Sequence, residues 1–530
     1  MKKWDGVKGL NAAMDRRRFI KSAATVGAVA IGAANGAILP AFAQEADPRK
    51  GGHFKLGVNG GNTSDTLDPA TYPETFMMAF GHSLHGYLVE VDAEGGLVGE
   101  LAESWESSKD AKTWTFKLRK GVEFHNGKTL SAKDVIASIN HHRSENSPSA
   151  AKSIVRQIKE IRSDGPDTVV VILDQGNADF PVLMDHFQLA IMPEKDGKAD
   201  ASGVGAGAYV LEAIDFGVKA TSKRFANYWK TNAGWFDSFE ILSIRDVTAR
   251  TNALTTGQIH AMEQVDTKTA HLLKRNKGLE IISVGGTQHY TMPMLVDVPP
   301  FDNVDVRLAL KYAIDRQQFL DKIVGGFGKL GNDHPIASNN RFFAKDLPQR
   351  QFDPEKAKFH LKKAGLSDLK VSLSTSEAAF SGAVDAAVLY QQDAAKAGIN
   401  VDVVREPADG YWDRVWRKKP WSVCSWGGRP TADWMFGQTY ATGSDQNDSH
   451  WNNPRFNQLL IAARSELDDA KRLEMYSEMQ ALCRDDGGTV IPVFADFVSG
   501  LSTKVGHKKL ASNWDLDGMR CAERWWFREA

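Results

Sequence analysis

The sequence predicts an α/β protein of more than one lobe, and three features carry that expectation. The chain has 530 residues, more than a single hydrophobic core serves. Stretches with strand-like alternation or β-branched runs occur in both halves, mixed with amphipathic helical stretches and without a strict βαβ rhythm. In the later half, residues 371–374, 378–397 and 399–404 read as strand, helix and strand, a lobe with its own sheet.

Taken in order, the chain opens on Asp15-Arg16-Arg17-Arg18-Phe19-Ile20-Lys21, a short Ala/Gly-rich apolar stretch, and then Ala41-Phe42-Ala43. That arrangement resembles a twin-arginine export signal with a small-x-small cleavage site. Residues 22–42 are long enough to cross a bilayer, but Gly27, Gly32, Asn35, Gly36 and Pro40 interrupt them, and cleavage is the preferred reading over anchoring. The mature protein is expected to begin near Gln44, to be soluble, and to work in the periplasm. Without residues 1–43 the chain keeps 58 basic against 64 acidic residues, a formal charge of −6. Such a mildly acidic balance gives no footprint for nucleic acid or anionic lipid.

Residues 53–58 alternate as a strand and are followed by Gly/Asn-rich punctuation and Leu67-Asp68-Pro69. Residues 112–118 alternate again and end on Arg119-Lys120-Gly121, a strand and turn. Over 129–140, Ser131 is a candidate N-cap and Val135, Ile136 and Ile139 share a helix face. The β-branched run at 168–173 predicts a buried strand. From Asp302, the residues Val306, Ala309, Leu310, Ala313 and Ile314 recur at helical spacing, with Lys311 and Asp315 four apart on another face. Residues 355–365 repeat the pattern and stop at a glycine. Cys483 falls on the helical series Leu473, Tyr476, Met479, Cys483, as a buried thiol. With Cys424 and Cys521 it makes three cysteines, which allow one disulfide.

Leu101-Ala102-Glu103-Ser104-Trp105 followed by residues 112–127, Lys-Thr-Trp-Thr-Phe-Lys-Leu-Arg-Lys-Gly-Val-Glu-Phe-His-Asn-Gly, is the most specific segment of the chain. Supporting blocks are Leu67-Asp68-Pro69, residues 204–209, Asn227-Tyr228-Trp229, residues 253–259, and residues 301–310 with Ala313-Ile314-Asp315. Together these resemble, over nearly all of 50–530, the peptide-type (family 5) extracytoplasmic solute-binding proteins of ABC importers. The resemblance implies a two-lobe periplasmic-binding-protein (Venus-flytrap) architecture with an extra α+β subdomain on the first lobe. Lobe I would take 50–90, 203–292 and 497–530; the extra subdomain, 91–202; lobe II, 293–496, with crossings near Val296 and Val493. Within the shared blocks, Trp105, Trp114, Phe116 and Phe124 read as core aromatics, and Gly205 and Gly207 as a tight turn.

The peptide-binding members carry a Trp-x-x-Asp motif whose carboxylate pairs with the ligand's amino group. At that place this chain has Trp426-Gly427-Gly428-Arg429, followed by Pro430-Thr431-Ala432-Asp433-Trp434. A guanidinium accepts no hydrogen bond and repels an ammonium, so a peptide N-terminus is not expected there. Arg429 either grips an anionic group through two parallel N–H contacts or braces Asp433. Trp426 and Trp434 offer flat walls, with Trp412, Trp416 and Trp421 upstream. Asn62 in the Asn59–Thr63 loop and His289-Tyr290 are further candidate ligand contacts.

The expected partners are a small-molecule ligand, whether peptide, opine-like or another amine or carboxylate compound, and an ABC permease in the membrane, with the chain itself a monomer. No cofactor, metal site or catalytic residue is expected: CxxC, HExxH and G-x-S-x-G do not occur, and His82, His85, His141 and His142 read as surface or capping residues. A secreted hydrolase is the alternative reading.

Overall fold

A computed structural model describes residues 48–528 apart from Asn146 and Ala150. The export signal expected at 1–43 lies outside the described residues. His53–Val58 is a strand, as its alternation predicts, and Phe54, Leu56 and Val58 are fully buried. It lies inside a seven-stranded mixed sheet ordered Tyr209–Asp215, Lys219–Arg224, Ser238–Ser243, His53–Val58, Ala261–Met262, Phe497–Ser502, Leu279–Val284. Its neighbours run parallel to it, in register from His53 opposite Ser238 to Val58 opposite Ser243. Phe497–Ser502, a late strand, inserts antiparallel between two earlier ones. The first lobe is therefore complete only when the C-terminal segment has returned to it.

Residues 102–173 build a second, antiparallel sheet ordered Ala102–Ser107, Thr113–Leu118, Thr168–Leu173, Ile158–Ser163. Alternation sends Trp114, Phe116 and Leu118 into its core, where they meet Val169 and Val171. Helix Ala132–Arg143 adds Val135 and Ile139 to that core. The helix begins at Ser131 because Asp134 accepts both the Ser131 backbone N–H at 2.8 Å and its hydroxyl at 2.7 Å, closing a capping box.

The second lobe has an antiparallel sheet ordered Gly328–Leu330, Thr489–Ala495, His289–Pro293, Cys424–Trp426. Beside it the predicted strand-helix-strand unit appears as Leu369–Thr375, Ala383–Ala395 and Ile399–Arg405. Its helix starts five residues later than the pattern predicts. Glu377 takes the N–H of Gly382 at 2.7 Å and of Val384 at 3.3 Å, and Gly382 sits at φ 88°, so the preceding residues form a turn. The chain passes from the seven-stranded sheet to this one through 285–288 and returns at Asp496. The two crossings touch: Ala495 N–H donates to Gln288 O at 2.9 Å, and Ser283 Oγ donates to Asp496 at 2.6 Å. A Cβ on Gly286 would lie 2.1 Å from Ala495 O, so only glycine permits this approach.

Several expectations are corrected. The 302–315 pattern is two helices, Val304–Tyr312 and Arg316–Ile323, with Asp315 the N-cap of the second. Lys311 does not pair with Asp315. It is buried, and its ammonium donates to the carbonyls of Cys483, Arg484 and Gly487 at 3.0, 3.0 and 2.7 Å, capping helix Asp469–Asp485. On that helix Tyr476, Met479 and Cys483 are buried, but Leu473 is 38% exposed and Arg472 takes the inward position. His82, His85 and His142 are buried rather than superficial, because each ring finds a polar neighbour inside: Met78 O at 2.8 Å, Tyr72 Oη at 3.5 Å and Ser149 Oγ at 2.7 Å. His141, bonded to Asp68 at 2.8 Å, stays partly exposed. Among the described residues no helix is long and apolar enough to cross a membrane.

Asp333 joins the second lobe's helices to its sheet. It is fully buried, accepts Arg316 at 2.6 and 2.7 Å, Arg350 at 2.9 Å and the Ile491 N–H at 2.9 Å. Asp333→Asn leaves both arginines short of charge and is expected to cost about 3–5 kcal/mol in denaturant unfolding. Burial alone would raise this carboxyl, but Arg316, Arg350 and Lys311 outweigh it and hold it below the ordinary value. The contribution is thus present above the unfolded pKa of about 3.9 and is lost as pH falls through the folded value. Wild type and variant should converge in acid.

Candidate functional site

A cavity of about 400 Å³ lies where the extra subdomain, the second lobe and the C-terminal segment meet, and it adjoins a more open groove of about 1390 Å³. Asp179, His186, Arg429, Pro430, Thr431 and Trp514 belong to the walls of both. The subdomain contributes Trp105 and Trp114, which stand on paired strands with Trp105 opposite Phe116 and Trp114 opposite Ser107. Phe116 and Phe124 are core residues as expected. Trp105 and Trp114 pack on the same core yet also face the cavity.

Arg429 sits in the loop between strand Cys424–Trp426 and helix Ala432–Thr439. The helix starts at Thr431, whose hydroxyl accepts the Trp434 N–H at 3.0 Å. Gly428 passes so close to Thr287 that a Cβ there would lie 1.7 Å from its hydroxyl oxygen. Arg429 Nη1 donates to the carbonyls of Gly427 and Gly428 at 3.0 and 3.1 Å, and Nε donates to Gln438 at 2.5 Å. Burial lowers its pKa. The brace to Asp433 does not form: Arg429 precedes the N-cap, off the helix that carries Asp433, and Asp433 instead accepts Arg464 Nε at 3.0 and 3.1 Å.

The other predicted contacts divide. Trp434 lines the groove and lies 5.9 Å from the His186 ring, and Gly428 lines it too. Trp426 is buried behind Arg429, its indole N–H donated to Asp448 at 2.9 Å. Gly427 serves through its carbonyl. His289 is buried against Phe494, and Tyr290 stacks on Phe380 at 3.7 Å; neither lines the cavity or the groove. Asn62 holds Arg245 at 2.6 Å, also away from them. Trp421 is a core residue and Trp412 is exposed.

Asp179, Asp185, His186, Arg341 and Trp514 were not singled out by sequence, since 179–186 and 512–514 have no periodicity or motif. Asp179 accepts Arg472 at 2.7 Å and Arg341 at 3.4 Å. Asp185 accepts Arg520 and Asn513, each at 3.3 Å, and burial lifts its carboxyl to about 6 against the pull of Arg520. Burial, His142 and Arg429 together push His186 down to about 3. Both carboxylates are thus engaged by protein cations, whereas Arg429 meets only neutral oxygens among the described residues. The arrangement is one for holding a solute: a cation without a counter-ion, flat aromatic walls and amide and hydroxyl donors.

Two lobes with a walled cavity between them define a binding protein of the periplasmic type. Residues 96–448, about two thirds of the chain, match the bacterial extracellular solute-binding proteins, family 5 middle region, and the chain belongs to this family. The glutathione-binding protein GsiB of Salmonella choleraesuis (strain SC-B67) is 26% identical over 440 residues, covering 79% of this chain and 85% of its own. Among solved structures, the binding protein AgaA of A. tumefaciens R10 with agropinic acid has a TM-score of 0.70 at 24% identity, covering 90% of this chain and 99% of its own. The periplasmic murein tripeptide binding protein MppA, unliganded and open, has a TM-score of 0.79 at 18% identity, covering 91% and 99%. These likenesses show the fold.

Asp448 fixes the wall behind Arg429 through the indoles of Trp426 and Trp416, at 2.9 and 3.4 Å. Burial raises its carboxyl to about 6, although both indole N–H groups lower it. A raised folded pKa contributes stability below the unfolded value of about 3.9 that is lost as pH rises through 6. Asp448→Asn keeps an acceptor for the indoles and removes the buried charge. It is expected to raise stability above neutral pH by up to about 3 kcal/mol and to change little in acid, as melting curves at the two extremes will show.

Proposed function

We propose that this chain is the solute-capturing subunit of an ABC importer, that its ligand is a small organic molecule with an anionic group held at Arg429, and that the loaded form delivers it to a membrane permease. One observation carries the ligand assignment: Arg429 is half-buried in a cavity wall with no carboxylate partner among the described residues. A solute anion fills that vacancy with charge-assisted bonds, whereas an ammonium is repelled. The ligands named for two relatives, glutathione and agropinic acid, fit this chemistry. Binding in the cleft favours the closed state through contacts the open one lacks. The protein binds without turnover and acts as a monomer; the relatives are binding proteins, which favours this over hydrolysis.

The same reading has the chain exported by the twin-arginine route and cut near Ala43, with lobe I as 50–90, 203–288 and 497–530, the subdomain as 91–202, and lobe II as 289–496; the first boundary moves from 292 to 288 because strand His289–Pro293 pairs within the second lobe's sheet. Native mass spectrometry of the purified protein reports a carried-over ligand by its mass, and a mature N-terminus near Gln44. Calorimetry with that ligand is expected to show Arg429→Ala losing about 2–5 kcal/mol of affinity and Arg429→Lys recovering little of it. Equal affinity for charged and neutral analogues in the wild type would remove Arg429 from the site.

A further inference from the structure

Resting on that reading, we infer that the solute is anchored by a single-charged, carboxylate-type group clasped between Arg429 of the second lobe and the imidazole of His186 on the subdomain. The two side chains belong to the walls of both the cavity and the groove. They flank one ring, Trp434, whose centre is 5.9 Å from the His186 ring and 6.0 Å from the Arg429 guanidinium carbon. The backbone N–H of Gln188 donates to His186 Nδ1 at 3.4 Å, which makes Nδ1 an acceptor and puts the ring proton on Nε2. Nε2–H has no partner among the described residues, and neither has Arg429 Nη2. Each lobe therefore brings one side chain with an unspent donor to within 6.0 Å of the Trp434 ring.

The charges around this pair set the class of anion. Asp179 and Asp469 are matched by Arg472 and Arg341, Asp185 is held by Arg520, and Asp433 by Arg464. His142, whose charge acts on His186, is buried, and that burial pushes it down to about 4. Phe187, stacked on the His186 ring at 4.4 Å, and Trp514 add no charge. Arg429 is the cation common to both walls, and no carboxylate among the described residues meets it. A carboxylate or sulfonate neutralises it. A phosphate dianion leaves one charge unmatched unless His186 takes up a proton, which burial, His142 and Arg429 all oppose. Trp114, Trp105 and Trp514 then face the body of the solute, which favours a ring or another flat apolar part.

The test uses benzoate, benzamide and phenylphosphonate on the purified protein freed of carried-over ligand, with the His186 ring nitrogens followed by NMR and assigned through His186→Gln. Benzoate is expected to move the His186 signal saturably, and neutral benzamide to leave it in place. Phenylphosphonate should bind roughly tenfold more weakly than benzoate at about pH 8.5, where it is a dianion, and approach it at about pH 5, where it carries one charge. Arg429→Gln and His186→Leu should each weaken benzoate by about tenfold or more, and His186→Gln, which keeps a donor, by only about threefold. A His186 signal unmoved by saturating benzoate, or a dianion bound as tightly as the monoanion, overturns the clasp. If a carried-over solute is nevertheless found bound, the importer reading stands; a protein that binds no solute at all overturns both.

Discussion

Asp179 is where the subdomain meets the second lobe, and the shape of the cavity follows from how that carboxylate is held. Its partner Arg472 stands in the first turn of helix Asp469–Asp485 with its guanidinium over the rings of Phe342 and Tyr476, at 4.7 and 5.5 Å, and both members of the pair are almost wholly buried. The neighbouring backbone repeats the attachment, with the Ala178 N–H donated to Arg464 O at 2.8 Å. Six residues beyond Asp179, Asp185 and then His186 are thereby set opposite Arg429. A buried ion pair of this kind adds little net free energy, since separating it returns both charges to water. Its value is positional: it fixes the alignment of two walls while leaving the driving force for closure to the solute.

The opposite wall is tied down by a larger network. Arg520 reaches Glu100 at 2.8 Å, Asp185 and Glu523 at 3.3 Å and Glu90 at 3.4 Å, while Lys230 bonds Glu90 and Glu523 at 2.7 Å. Through Asp185 this cluster, deep in the first lobe, shows one face to the cavity. The acid that looks available to a solute is thus already committed to the scaffold.

Most of the scaffold was legible in the sequence. His53–Val58 and Thr168–Leu173 announce themselves by alternation and β-branching, and Ser131 with Asp134 by cap chemistry, because these signals are local. The failures share a cause. Lys311 and Arg472 are polar residues whose burial depends on partners far along the chain, the carbonyl of Gly487 and the carboxylate of Asp179, and His82 and His142, although bonded to nearby Met78 and Ser149, are covered by tertiary packing; no local spacing encodes either. Arg429 and Asp433 have the spacing of a helical pair, but Thr431 starts the helix between them. The cavity's acids and His186 come from loops, where only the tertiary fold brings them to Arg429.

Cys424, Cys483 and Cys521 are free thiols, each buried in apolar surroundings, and burial raises all three so that the reactive thiolate is suppressed. Cys424 and Cys483 belong to the core around Phe436, and Cys521 to that around Phe54 and Trp525. Each thiol is unpaired and lies inside a core, so no disulfide joins these elements. The described fold therefore needs no oxidant to complete it, and its packing does not depend on the redox state of the surroundings.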